Sequence, residues 1–298
     1  MSTASIPSGR KKVTTRIFRQ KKAKGLPITM LTAYDYATAQ AIDRAGLDAI
    51  LVGDSLGMVV LGYETTLPVT MQDMLHHCKA VARGAHTAML IGDMPFMSYQ
   101  VSVLEAVRNA GRFLQEAGMD AVKLEGGRER REAVEAIVSA GIPVMGHLGL
   151  TPQSVHQLGG FQAQAKTTQA AERLMDDALQ LQAAGCFALV LESIPARLGR
   201  WVSERLEIPT IGIGAGAGCD GQVLVTHDLL GLFDRFTPKF VRKYADLHGE
   251  MARAFSAFAA DVESGEFPAV EHSVEMPDED WENFLRRVDQ NPQPTLAD

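Results

Sequence analysis

"DAILVGDS", residues 48–55, is an apolar run of β type that stops at Gly53 and finishes on a carboxylate and a hydroxyl, Asp54 and Ser55. The same pattern recurs along the chain in "ITMLTAYD" (28–35), "TAMLIGDM" (87–94), "DAVKLEGG" (120–127), "IPVMGHLG" (142–149), "FALVLESI" (187–194), "IPTIGIGAG" (208–216) and, less clearly, "GQVLVTHD" (221–228). Short β-rich runs of this kind, separated by longer stretches of helical period, are the signature of βα units and a parallel sheet. The helical stretches are "ATAQAIDRAG" (37–46), "MQDMLHHCKAVARGA" (71–85), "VLEAVRNAGRFLQEAG" (103–118), "RREAVEAIVSAG" (130–141) and "AAERLMDDALQLQAAG" (170–185). Each closes on Gly or Gly-Ala, and a C-cap glycine followed at once by a strand makes a compact αβ connection. Eight units within Pro27 to Phe236 predict an α/β fold of the (β/α)8 TIM-barrel class, with an open doubly wound sheet as the alternative.

The chain has 298 residues, 46% hydrophobic and 22% charged, which is ordinary globular usage and enough to bury a core. A formal charge of −7 argues against nucleic acid as a partner. No apolar stretch reaches the length of a membrane span and no apolar segment follows the N-terminal charges, so a cytoplasmic, membrane-free protein is expected. Cys78, Cys186 and Cys219 are far apart in sequence and read as buried free thiols. The basic stretch Arg10 to Lys24 reads as a solvated tail. The expected organisation is a flexible arm over residues 1–14, one barrel domain over 15–272, and a partly ordered acidic tail over 273–298. The helical-period stretch "KFVRKYADLHGEMARAFSAFAADVESG" (239–265) is expected to cover the barrel or serve an oligomer contact.

In such barrels the C-terminal strand ends share one mouth, where active sites are built. Read along the chain, those ends carry Tyr34-Asp35, Asp54-Ser55, Asp93, Lys123 with Glu125, His147, Glu192 and the glycines 212, 214, 216 and 218. A lone Asp after a strand is explained by an Asx-turn or a helix N-cap; a succession of ionisable ends calls for more. Asp54, Asp93 and Glu125 converge only if a cation offsets their repulsion, and hard oxygen ligands select Mg²⁺. The competing reading pairs each carboxylate with a base such as Lys123 or Arg83. Lys123 and Glu125, two apart in a strand, share a face and offer a cation for a substrate carboxylate beside an acid for the metal. His147 reads either as a structural hydrogen bonder or as a group that orients a carbonyl. Glu192 follows the wholly apolar "CFALVL" and reads as a general base, or else as the cap of a helix starting near Pro195. "IGIGAGAGCDGQ" lacks the dinucleotide spacing and reads as closely approaching backbone.

Seven motifs in order, "MLTAYDYATAQ" (30–40), "DAILVGDSLGMVVLGYETTLPVTMQDM" (48–74), "DMPFMSY" (93–99), "AVKLEGG" (121–127), "GIPVMGHLGLTPQSV" (141–155), "LVLESIP" (189–195) and "IPTIGIGAGAGCDGQVLVTHD" (208–228), resemble the ketopantoate hydroxymethyltransferase family over about residues 13 to 272. The resemblance implies a barrel of the phosphoenolpyruvate/pyruvate type assembled as a homodecamer. It implies Mg²⁺-dependent transfer of a one-carbon unit from the cosubstrate 5,10-methylenetetrahydrofolate to 3-methyl-2-oxobutanoate, the first step of pantothenate synthesis. Carried over by motif, Asp54 and Asp93 would hold Mg²⁺ with Glu125 completing its surroundings. Asp54, Ser55, Asp93, Lys123 and His147 would meet the oxo acid, and Glu192 would accept the proton. Ala163, Ala165 and Leu61 depart from the family pattern, where Val, Gly and Gln are expected, and Cys219 stands within the glycine loop. Rival readings are an isocitrate-lyase-like Mg²⁺ barrel, which calls for a nucleophilic cysteine loop, and a non-catalytic barrel that binds a phosphorylated ligand through "GIGAGAG".

Overall fold

Eight parallel strands close on themselves in chain order: β1 (Ile28–Thr32), β2 (Ala49–Val52), β3 (Met89–Asp93), β4 (Ala121–Glu125), β5 (Val144–Gly149), β6 (Ala188–Glu192), β7 (Thr210–Ile213) and β8 (Gly221–Leu224). The structure, a computed structural model, describes residues 10–290. Pairing of β1 with β8, with Met30 opposite Val223, leaves no sheet edge and excludes the open-sheet alternative.

Period two along each strand sorts its side chains into two cores. Ile50, Val52, Leu90, Val122, Leu124, Val144, Leu189 and Leu191 face outward into the layer shared with the surrounding helices. Met30, Ala49, Leu51, Met89, Ile91, Ala121, Met145, Ala188, Val190, Ile211 and Val223 fill the barrel interior. Continuing the inward series by two residues toward the strand ends gives Asp93 after Ile91, Lys123 and Glu125 after Ala121, His147 after Met145, and Glu192 after Val190. The interior is therefore apolar at the base and ionisable at the top. Register sets the charged layer side by side, since Asp93 is opposite Lys123 and Glu125 opposite His147.

The basic N-terminal stretch is not a solvated tail. Thr15–Ala23 is a helix whose Phe18 is fully buried among the inward side chains, edge-on to Phe187 with ring centroids 5.7 Å apart. Its cations have partners: Lys21 meets Asp48, and Lys22 meets Asp220 at 2.8 Å. Within the expected arm, Val13 is buried and its N–H donates to Thr87 O at 2.7 Å, while Lys12 Nζ lies 2.7 Å from Asp120. Residues 1–9 of that arm and 291–298 of the expected tail lie outside the described residues.

The chain divides into two compact units at Ala245/Asp246, not at the expected boundary near 272. The second unit contains the helices Leu247–Ser264 and Asp278–Gln290, so part of the acidic segment read as a tail is helical. Among the described residues no helix is long and apolar enough to cross a membrane.

Candidate active site

The mouth of the barrel holds a cavity of about 640 Å³ lined by Asp54, Ser55, Asp93, Lys123, Glu125, His147 and Glu192, so these seven strand-end residues reach one space. Asp35 does not join them: it caps the helix Tyr36–Arg44, accepting from Thr38 N at 2.8 Å. Glu192 is no cap, because the helix Ala196–Arg205 begins at Pro195 with no side-chain cap bond. The glycine loop packs closely: a Cβ on Gly216 would strike Ala196 and one on Gly218 would strike Arg200, on that same helix.

At the floor, Lys123 Nζ lies 2.8 Å from Asp93 Oδ1 and 3.7 Å from Glu125 Oε1. Burial alone would push the Lys123 ammonium down, but the carboxylates of Asp93, Glu125 and Asp54 outweigh it and hold it above the ordinary lysine value. Burial, then the neighbouring carboxylates of Asp93 and Glu125, push Asp54 well above the carboxylate range. Burial likewise pushes Asp93 up against the opposing Lys123. Glu125 is also buried, yet its bonds from His147 and the nearby Lys123 bring it below the ordinary value. The ion-pair reading of this cluster is therefore partly realised through Lys123, and Arg83 takes no part in it among the described residues.

His147 spans two carboxylates, with Nδ1 3.3 Å from Glu125 Oε1 and Nε2 3.2 Å from Glu192 Oε2, the second contact being unaligned for a hydrogen bond. Burial and Lys123 favour the neutral ring, but Glu125 and Glu192 prevail and raise it from 6.5 to about 9. The folded value lies above the unfolded one, so the stabilisation is complete below about pH 6.5 and is lost as pH rises through about 9. The gap in melting temperature between the metal-free protein and its His147→Gln variant is expected to narrow steadily from pH 6.5 to 9.5. A gap independent of pH would show that the ring is not held as imidazolium.

Gln153, which no charge or spacing marks in the sequence, ties the site together. Its Nε2 donates to Asp54 Oδ2 and to Met94 O, each at 2.9 Å, its N–H donates to Glu125 Oε2 at 3.0 Å, and its Oε1 accepts from Tyr99 Oη at 2.6 Å. Tyr99 Oη in turn accepts from Glu125 N at 3.1 Å. Tyr34 Oη and Ser55 Oγ are 2.9 Å apart, which fixes the Ser55 hydroxyl beside Asp54. The signal available for Gln153 was its place in "GLTPQS", the loop that follows β5 toward the mouth.

At the strand ends four carboxylates, Asp54, Asp93, Glu125 and Glu192, face two cations, Lys123 and His147, and the other ionisable lining residues, Asp228 and Lys239, are one of each sign and leave the balance unchanged. The excess of two negative charges matches a divalent cation, and the upward push on Asp54 and Asp93 shows where a positive charge is wanted. Asp93 Oδ1 makes its ion pair without an aligned hydrogen bond and keeps lone-pair capacity. Asp54 and Asp93 thus fit a cation such as Mg²⁺, which typically takes one or two carboxylates plus water and substrate oxygens. Glu125 has both oxygens beside the protein's own donors, His147 and Lys123 at Oε1 and Gln153 N–H at Oε2. Among the described residues no group of three or more His, Cys, Asp or Glu is arranged to hold a metal ion.

The wall above the floor includes Met58, Val59, Phe161, Ala163, Phe233, Phe236 and Phe240. Ala165 adopts φ +54°, and its neighbour Gln164 donates through its N–H to Ser193 O at 2.8 Å. A left-handed backbone costs an L-residue about 1–2 kcal/mol, and glycine returns about half of that through its freer unfolded chain. Ala165→Gly is expected to stabilise by about 0.5–1 kcal/mol, read as a higher urea midpoint at unchanged slope. A lower midpoint would refute the strain assigned here.

A sequence profile described as Ketopantoate hydroxymethyltransferase matches residues 12–270. The chain is 61% identical to the 3-methyl-2-oxobutanoate hydroxymethyltransferase of Syntrophus aciditrophicus (strain SB), covering 90% of this chain and 99% of the relative. It is 54% identical to the protein of that name from Nitratidesulfovibrio vulgaris (strain DP4), covering 97% and 96%. Among solved structures, a phosphonopyruvate hydrolase aligns with a TM-score of 0.59 at 13% identity, over 94% of this chain and 99% of the other. A 2,3-dimethylmalate lyase, described as a PEP mutase/isocitrate lyase superfamily member, aligns at 0.56 and 15%, over 93% and 98%. These structures share the barrel; the family follows from the profile and the sequence identities, which agree over most of the chain, and the protein belongs to the ketopantoate hydroxymethyltransferase family of enzymes.

Proposed function

We propose that the protein transfers a hydroxymethyl group to C3 of 3-methyl-2-oxobutanoate in a Mg²⁺-dependent reaction, with 5,10-methylenetetrahydrofolate as the carbon donor. The products are 2-dehydropantoate and tetrahydrofolate, and the step opens pantothenate biosynthesis. The observation that carries this reading is the doubly anionic floor beside the half-buried Glu192, whose side chain keeps 16% exposure toward the same cavity.

C3 of the oxo acid is a weak carbon acid, so the charge that develops on the keto oxygen has to be offset. Mg²⁺ held by Asp54 and Asp93 would supply Lewis-acid polarisation of the oxo acid's oxygens. Lys123, kept protonated by its buried acid neighbours, presents an ammonium to the substrate carboxylate. Ser55, fixed by Tyr34, offers a hydroxyl on the same rim. Glu192 removes the C3 proton with one oxygen while His147 orients the other. His147 in turn is aligned by Glu125, and Gln153 fixes Glu125 to the Asp54 side of the site. Water adds to the donor's methylene carbon and both of its C–N bonds break, the water's two protons ending on the folate nitrogens and the carbon leaving at the formaldehyde level. C3 then adds to that carbonyl carbon, and the proton taken by Glu192 passes to its oxygen, while the apolar wall keeps further water from the enolate.

A lyase that relies on a cysteine loop is disfavoured, because none of Cys78, Cys186 and Cys219 is among the cavity-lining residues. The family resemblance also supports a cytoplasmic homodecamer, which a native mass measurement tests. The deciding experiment is NMR of 3-methyl-2-oxobutanoate in D₂O with the protein. C3 exchange that requires Mg²⁺, followed by product formation when the folate is added, is the expected result. No exchange under either condition would exclude the proposal.

A further inference from the structure

Asp228 is a buried carboxylate for which the proposed mechanism has no use. It follows β8, lines the same cavity and is only 9% exposed. Among the described residues no hydrogen bond or ion pair reaches its side chain, whereas Asp54, Asp93 and Glu125 are each bonded. The adjacent His227 brings no compensating charge, since burial pushes its ring below the ordinary value. Lys243 acts on Asp228 only through space, and burial prevails, raising its carboxyl to about 6. A largely buried carboxylate left without a partner in this way costs stability.

Aromatic side chains line the cavity with it, together with Lys239. Phe233 N lies 3.3 Å from His227 O in the turn that contains Asp228, and the Phe233 and Phe236 rings meet edge-on with centroids 5.5 Å apart. Phe240 and Pro238 line the same cavity. The oxo acid has no N–H to give and its own negative charge would be repelled here. A cavity of about 640 Å³ is also far larger than a five-carbon acid requires.

We propose that Asp228 is a donor-specificity residue: its two oxygens accept the 2-amino and ring N–H pair of the reduced pterin of the carbon donor, whose flat ring lies against the Phe233 and Phe236 wall. This assignment rests on the donor named under the proposed function. A carboxylate facing two parallel N–H groups is a charge-assisted, geometrically selective pairing. It is a binding role, separate from the proton transfer at Glu192.

The test compares the wild type with Asp228→Asn. The KM for 5,10-methylenetetrahydrofolate and the Kd for tetrahydrofolate are expected to rise about 10- to 100-fold. The KM for the oxo acid and its Mg²⁺-dependent C3 exchange are expected to stay within about twofold, since the loss is confined to the pterin. The melting temperature of the ligand-free variant is expected to rise, because an unpaired buried charge has been removed. An unchanged donor KM, a parallel fall in oxo-acid exchange, or a lower melting temperature would each overturn the assignment. A wild type that neither exchanges C3 nor transfers carbon would instead overturn the underlying reaction, and the assignment with it.

Discussion

Glu192→Gln is expected to slow deuterium exchange at C3 of the oxo acid by about 10²–10⁴-fold, the usual contribution of a positioned base. The amide has nearly the shape of the carboxylate but no capacity to take a proton at neutral pH. Substrate and Mg²⁺ affinity should change little, because Glu192 stands across the cavity floor from the Asp54 and Asp93 pair and touches His147 alone among the ionised groups. Exchange and full transfer should fall together, since both need the same proton removed. A second signature follows from the geometry. His147 is raised to about 9 by Glu125 and Glu192 acting together, so loss of the second carboxylate lowers the ring's pKa. That shift is visible in the imidazole NMR resonances. Exchange at the wild-type rate in Glu192→Gln would remove Glu192 from the chemistry, whatever the ring did.

Most of the barrel was legible because each strand is short, apolar and punctuated. "TAMLIGDM" and "DAVKLEGG" show both the outward and the inward series, and the inward one ends on charge in each case. The pairing of Lys123 with Glu125 on one face followed from period two, and both side chains do enter the barrel. What could not be read depends on partners distant in the chain. Phe18 sits in "TRIFRQKKA", whose low hydropathy suggests solvent, and it is buried only because a barrel base exists to receive it. Lys21 and Lys22 find Asp48 and Asp220, acids 27 and 198 residues away. Gln153 was invisible for another reason: an uncharged amide is recruited to a site by geometry, and neither composition nor spacing announces it. The convergence of Glu125 with two aspartates was legible, and its engagement by His147 and Gln153 was not.

The top layer of the barrel therefore combines two kinds of buried charge. Lys123 and His147 are balanced by Glu125 and Glu192, and Glu125 is correspondingly brought below the ordinary carboxylate value. Asp54 and Asp93 are pushed the other way by burial, Asp54 also by Asp93 and Glu125 and Asp93 by Glu125. Binding energy from a cation is stored where repulsion has been left unrelieved.

Asp93→Asn tests that division. Removing one member of a buried ion pair typically costs about 3–5 kcal/mol, because the remaining charge is stranded. Here Lys123 retains Glu125 at 3.7 Å, and Asp54 is relieved of a repelling neighbour, so the metal-free variant should lose less than that. The Mg²⁺ site has no such compensation. With one of its two fitted carboxylates neutralised, and Lys123 freed from its 2.8 Å partner to repel the ion, Mg²⁺ affinity is expected to fall by at least about 100-fold, equivalent to roughly 2.7 kcal/mol. Mg²⁺ at about 100 times its wild-type Kd stabilises the wild type by roughly 2.7 kcal/mol, and under the same conditions the variant should gain under about 0.5 kcal/mol. Thermal unfolding with and without Mg²⁺ reads both quantities in one experiment. If Asp93→Asn kept the full Mg²⁺-induced rise in melting temperature, the ion would have to sit elsewhere, and the charge balance drawn for this cavity would be wrong.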